Sequence, residues 1–307
     1  GTSHYAGWLA GEVLLLSRHH STAVPRVLLG CFGWPSGLLE IGSWATHLNC
    51  AHVVVWQLSG QADADSHYIE KLHAYRPHVV GFRAEAGLLD VLREYASLTR
   101  RHVDAEIVLG GPTATSHPAE LLEQAGADYV FAGEAEESFA RFLQLARQRN
   151  SRTDVPEIPG LAYRYADRTW VNTLPADGFG RSVLDAAPAD AKGPFEAERR
   201  KLENLQRPAP RVEVLGANRL DFSLLDGFRQ PLESLFFTGG RGCPGVCTFC
   251  SRLHGSAVRA KSARQILEEI GAADRAVMEG RIGIDRWPLF RWAEGSPLRD
   301  REVGWAA

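Results

Sequence analysis

The chain has 307 residues, 45% of them apolar and 23% charged, which suits two ordinary domains and excludes wholesale disorder. A formal net charge of −3 and a pI near 6.4 leave no field to attract nucleic acid or anionic lipid. No stretch approaches the roughly 18 apolar residues of a membrane span. The run Val13–Leu16 is too short for the core of a signal peptide, so the sequence reads as soluble and cytoplasmic.

The first half alternates strand and helix patterns. Arg26–Gly30 reads as a buried strand closed by glycine, followed by a helical stretch around 38–48. His52–Leu58 is a second strand, rich in β-branched residues. Residues 66–75 form a helix that the arginine before Pro77 should end. His78–Phe82 is the third strand, and the helix at 88–101 carries Leu88, Leu92, Tyr95 and Leu98 on one face. Glu106–Leu109, a helix over Pro118–Gln124, the strand Asp128–Phe131 and a helix over about 135–149 complete the series. Five strands alternating with helices predict a doubly wound, Rossmann-like parallel sheet over residues 1–150. Such sheets bind ligands at the carboxyl ends of their strands. Those ends are rich in glycine, which either lets a large ligand approach or merely turns the chain. No GxGxxG follows the first strand, which argues against a nicotinamide or flavin site.

The stretch from Gly110 to Phe139, GGPTATSHPAELLEQAGADYVFAGEAEESF, resembles the second half of the cobalamin-binding domains attached to radical S-adenosylmethionine enzymes. The resemblance implies that Gly110, Gly111, Pro112, Gly133 and Glu134 line a corrinoid site. No Asp-x-His-x-x-Gly follows the first strand, so no histidine is offered as a lower axial ligand. That fits family members that bind cobalamin without one, and equally a degenerate domain that binds nothing.

Residues 151–232 read as a connector. Residues 158–165 and 170–172 form a hairpin, as often follows the cobalamin domain in this family. Residues 173–194 read as a loop and Phe195–Gln206 as a charged helix stopped by Pro208.

Residues 233–307 hold the sharpest signal. A strand over Ser234–Thr238 feeds GGRGCPGVCTFC, with thiols at Cys243, Cys247 and Cys250. An odd cysteine count without an export signal argues against a disulfide framework. Three thiolates are one fewer than a closed zinc or cluster site demands, and the vacancy would let a metal hold a substrate. A zinc site completed by His254 is the competing reading. The pattern is similar to the radical S-adenosylmethionine signature, and the resemblance extends through Val258–Ser262 and a helix over Ala263–Ile270. It implies that Cys243, Cys247 and Cys250 ligate three irons of a 4Fe-4S cluster. The fourth iron would then chelate S-adenosylmethionine, with Phe249 packed beside the adenine. Reductive cleavage would give a 5′-deoxyadenosyl radical, with cobalamin relaying a methyl group. The partners implied are a small-molecule or peptide substrate and an electron donor such as flavodoxin or ferredoxin. Cys31 and Cys50 lie outside the motif and read as buried free thiols.

The family's catalytic domain is a partial barrel of about six βα units, some 200 residues by analogy with about 250 for eight. Residues 233–307 supply the first βα unit, and Ala272–Ala307 shows no convincing second strand, with Trp287, Phe290, Trp292 and Trp305 as apolar groups. The expected chain is therefore a fragment, a truncated product or a reduced variant. It is either the front of a cobalamin-dependent radical enzyme or a non-catalytic corrinoid or iron–sulfur protein.

Overall fold

A computed structural model describes residues 24–33, 35–60, 62, 65–146, 158–165, 168–171, 181–182, 212–228, 231–232, 235–243, 254 and 258–284. Strand β1 (Arg26–Cys31) sends Val27 and Leu29 to one side and Leu28 to the other, all at most 2% exposed. Burial on both faces is the mark of an interior parallel strand. β2 (His52–Gln57), β3 (Val79–Arg83), β4 (Glu106–Gly110) and β5 (Tyr129–Phe131) run parallel to it in the order β5-β4-β3-β1-β2.

Alternate residues build two apolar layers. On one face Val53, Val55, Val108 and Phe131 pack with α1 (Ser36–His47) and α6 (Glu136–Ala146), through Leu38, Leu39, Phe139 and Phe142. On the other, Val80, Phe82, Ile107 and Leu109 meet α2 (Ser66–Tyr75), α3 (Leu89–His102) and α5 (Pro118–Gln124), through Tyr68, Leu72, Tyr95 and Leu121. The doubly wound sheet expected from the sequence is therefore present. The predicted elements of this half stand within about two residues of their places, save that residues 147–149 of the last helix lie outside the described residues. α2 stops at Tyr75 because Arg76, preceding Pro77, leaves the helical region for φ 49°. Pro112–Ser116, not read as regular structure, forms the short helix α4, with proline at its start where the missing N–H costs nothing.

The connector adds to both edges of this sheet, making it nine-stranded and mixed. β6 (Leu161–Tyr165) pairs antiparallel with β5 through Phe131↔Leu161 and Tyr129↔Tyr163. β7 (Arg168–Val171) closes the hairpin and starts two residues earlier than expected. β8 (Arg181–Ser182) pairs with β7 inside the stretch read as loop. At the opposite edge, after α7 (Val212–Ala217), β9 (Leu225–Asp226) joins β2 in parallel. The charged helix expected over Phe195–Gln206 lies outside the described residues.

Residues 235–239 correct the expected strand over Ser234–Thr238. They carry no strand, although Leu235 and Phe237 pack on the first apolar layer while Phe236 is 68% exposed. The alternation was real, but a strand also needs a hydrogen-bonding neighbour, and none of the described residues supplies one there. Pairing begins instead at β10 (Gly240–Arg241), antiparallel to β11 (Arg259–Ala260). The expected helix after the cysteine run is α8 (Ala263–Met278), capped by Ser262 and eight residues longer than read. Beyond it Ile284 makes one parallel bridge to Leu232, with Leu232 N donating to Gly283 O at 2.8 Å. This is a rudimentary strand–helix–strand unit where the sequence showed no second strand. Residues 285–307, with their tryptophans, lie outside the described residues.

Candidate functional site

In the order β3-β1-β2 the chain reverses direction of growth across the sheet, and such a switch point opens a crevice at the strands' carboxyl ends. A cleft of about 1040 Å³, open solvent included, lies there, over β1, β3, β4 and β5. Gly110, Gly111, Pro112, Gly133 and Glu134, the positions named from the resemblance, all line it, with Gly37, Arg83, Thr115 and Glu136 beside them. Thr238, Arg241 and His254 close it from the cysteine-bearing segment.

The loop backbones are stitched together. Ala84 N donates to Gly110 O at 2.7 Å. Thr115 Oγ1 donates to Gly111 O at 2.9 Å and accepts from Gly133 N at 3.0 Å, so one hydroxyl ties the turns after β4 and β5. Gly111 sits at φ 102°, and a Cβ there would lie 3.0 Å from Arg83 Cγ and 3.2 Å from Ala84 O. Only glycine fits that conformation without strain.

A lattice of buried charges forms part of the cleft wall. Arg241 Nη1 donates to Glu134 Oε2 at 2.8 Å, and its Nη2 pairs with Glu136 at 2.6 Å and with Glu40. Arg259 donates to both oxygens of Glu134, 2.9 Å to Oε2. Lys261 Nζ donates to Glu269 at 2.9 and 3.0 Å and reaches Glu40 Oε1 at 3.4 Å. His254 Nδ1 stands 2.9 Å from Glu134 Oε1. All but His254 are at most 9% exposed. The lattice sets four carboxylates against three cations, and Glu136 Oε2 has no hydrogen-bond partner among the described residues. Burial pushes the Glu134 carboxyl up, but hydrogen bonds from Arg259, His254 and Arg241 overcome it and bring it down to about 2. For Glu136 and Glu269 burial wins, and both are raised despite Arg241 and Lys261. Arg241 is desolvated too, yet Glu136 and Glu40 hold it charged.

A family model for the B12 binding domain matches residues 48–143. Residues 48–143 carry a B12-binding domain. Similarity to a curated methyltransferase reaches further along the chain. The cytidylyl-2-hydroxyethylphosphonate methyltransferase of Streptomyces wedmorensis is 24% identical over 218 residues, covering 67% of this chain and 39% of its own length. The radical S-adenosylmethionine methyltransferase TsrM from Kitasatospora setae, solved with cobalamin and a 4Fe-4S cluster, superposes with a TM-score of 0.56 at 18% identity. That match covers 84% of this chain and 46% of TsrM. The cobalamin-dependent S-adenosylmethionine radical enzyme OxsB, solved with aqua-cobalamin, gives a TM-score of 0.51 at 17% identity over 85% of this chain and 33% of its own. The chain thus spans well under two thirds of each relative's length.

The residues present suit a corrinoid. The cleft lies at the switch point, and at Gly37 and Gly110 a Cβ would meet little or nothing, so the backbone stands open to a broad ligand. Of the cluster residues, Cys243 is exposed, outside any disulfide, two residues past Arg241. Cys247, Cys250 and Phe249 lie outside the described residues. Cys31 and Cys50 are buried and outside any disulfide, and burial pushes the Cys31 thiol up. His254, the alternative zinc ligand, faces Glu134. Reasoning from sequence missed the lattice. Arg241, Arg259 and Lys261 flanked the recognised motif, but their acidic partners Glu40 and Glu134 lie more than 100 residues away. Among the described residues no helix is long and apolar enough to cross a membrane.

Proposed function

We propose that this chain is the front part of a cobalamin-dependent radical S-adenosylmethionine methyltransferase. The observation that carries the reading is the placement of a glycine-walled switch-point cleft beside the segment that bears the three-cysteine motif. In this reading Gly110, Gly111, Pro112 and Gly133 form the floor against which the corrin lies, held without a histidine ligand. Cys243, Cys247 and Cys250 hold a 4Fe-4S cluster whose open iron takes the amino and carboxylate groups of S-adenosylmethionine, and Phe249 packs beside the adenine. The cofactors supply the electron transfer and methyl carriage, while the protein positions them and excludes water. The two methyltransferases among the relatives support methyl transfer, and the substrate is a small molecule or peptide. The electron donor is a low-potential protein such as flavodoxin or ferredoxin.

The test is anaerobic reconstitution with iron and sulfide in the presence of hydroxocobalamin, then chromatography for S-adenosylmethionine cleavage products with dithionite as reductant. Retained cobalamin and about four irons per chain are expected. Cys243→Ala, Cys247→Ala or Cys250→Ala should each abolish the iron, and Cys31→Ala should not. Cleavage by residues 1–307 alone should be slow, because they span under half the length of the relatives and positioning accounts for roughly 7–11 kcal/mol of such barriers. Retained cobalamin without iron would instead support a corrinoid-binding protein. Stoichiometric zinc with no iron uptake would refute the cluster.

A further inference from the structure

The cysteine run is bounded by a neck. β10 and β11 are two residues each, and their pairs are Gly240↔Ala260 and Arg241↔Arg259. One more bond, Lys261 N to Gly239 O at 2.9 Å, extends the neck on its inner side. Everything between, residues 242–258, contains the three thiols. A ladder this short has little stability of its own. Worse, it sets two arginines directly opposite each other, and like charges across a pair of strands repel. Both guanidinium groups are also buried, at 8% and 9% residue exposure, where repulsion is poorly screened.

The opposing force is Glu134. Its carboxylate receives Arg241 on Oε2 and Arg259 on both oxygens, so one anion lies between the two cations. A third group from the same segment, His254, faces Oε1. Glu134 itself belongs to the turn after β5, in the wall of the cobalamin cleft. Adjacent to it, Glu40 and Glu136 take the remaining Nη2 of Arg241. The resemblance assigns Glu134 to the corrinoid, yet its oxygens are already committed to the neck.

We propose that Glu134 is a positioning residue that clamps the neck of the cysteine loop shut against the cleft wall, and does not itself hold the corrinoid. It acts through Arg241 and Arg259, and so holds the two ends of the cysteine-bearing segment beside the cleft. The inference deepens the proposed function and rests on it for the identity of the loop's cargo, but the clamp itself rests on geometry alone.

The experiment compares the full chain with Glu134→Gln, Arg259→Gln and the double variant Glu134→Gln/Arg259→Gln. Lys261 N–H donates to Gly239 O across the neck, so the hydrogen-exchange rate of that amide reports opening of the neck. Glu134→Gln keeps the side chain's size and should raise that rate at least tenfold, while cobalamin affinity by absorbance titration changes less than threefold. Iron loading should fall by half or more. In the double variant one cation leaves with the anion, and protection from exchange should return most of the way. Loss of cobalamin affinity tenfold or more, with exchange at Lys261 unchanged, would overturn the proposal and return Glu134 to the corrinoid. Failure of the double variant to recover protection would overturn it too. A wild-type chain that takes up no iron would count against the proposed cluster, while the exchange comparison would still decide the clamp. Near-ultraviolet circular dichroism of each variant separates local opening from global unfolding, and a globally unfolded Glu134→Gln with a native double variant would still support it.

Discussion

Glu134 and Glu136 are two residues apart and titrate in opposite senses. Glu134 is held at about 2, below the ordinary glutamate value near 4.3, so its contribution is complete above about pH 4 and is lost as pH falls toward 2. Glu136 is raised by burial, with Glu40 adding to the push. The fold therefore keeps a proton that the unfolded chain has released, and stability declines as pH rises from about 4.3 through the raised value. Four carboxylates facing three cations explain why one of them should prefer to be neutral. Glu136→Gln removes that excess while Arg241 keeps Glu40 and Glu134. The variant should gain stability relative to the parent between pH 5 and pH 8, measured by thermal melts at the two values. A larger deficit at pH 8 than at pH 5 would show that the charge on Glu136 is needed.

At the scale of single elements, α2 shows how one cap ties two layers. Asp65 accepts from Tyr68 N at 3.0 Å as the helix N-cap, from Ser59 N at 3.0 Å, and from the Tyr95 hydroxyl of α3 at 2.7 Å. Tyr68 and Tyr95 meet edge to face at 5.2 Å, and the Tyr68 hydroxyl reaches Thr99 at 2.7 Å. Both rings are fully buried, so these hydroxyls must be satisfied internally. Asp65→Ala should cost about 2 kcal/mol, the upper end for a lost cap, because two further donors lose their acceptor. Urea denaturation measures it. Cobalamin affinity should be unchanged, since Asp65 does not line the cleft. A loss under about 0.5 kcal/mol, ordinary for a surface substitution, would show that Tyr95 and Ser59 re-pair without it.

Over the whole molecule, the sheet, the cleft and the cysteine segment form one connected structure. Asn218 Nδ2 donates to Glu40 O at 2.9 Å, and Gln265 Nε2 of α8 donates to Leu215 O and Asn218 O at 2.9 and 2.8 Å. Ala273 and Ala276 of α8 belong to the same apolar layer as α1 and α6. A ligand that binds only the folded cleft must therefore stabilise more than the front half. Cobalamin at 100 times its dissociation constant should add about 2.7 kcal/mol, rising by about 1.4 kcal/mol per further tenfold. The melt followed by circular dichroism should stay a single transition that moves up with concentration. Two transitions, of which only one moves, would show that the cysteine segment unfolds independently of the B12-binding domain.

The five parallel strands and their helices were legible in the sequence because each is a local pattern. Val27–Leu29 is buried on both faces, Val53 and Val55 are buried on one face with Val54 half-buried on the other, and Pro77 ends α2 through its own neighbour. The glycine-rich strand ends and the three-cysteine spacing were legible for the same reason, since their chemistry is written within a few residues. Tertiary structure alone decided what depends on a distant partner. Leu235–Phe237 alternates like a strand but forms no strand pairing among the described residues, while Arg181–Ser182 and Leu225–Asp226 pair without any pattern of their own. Glu134 and Arg241 are 107 residues apart, and Glu40 and Arg241 are 201. Composition shows such residues only as solvated charge. Folding removes them from water, and there each charge must be met by whichever opposite charge the topology delivers.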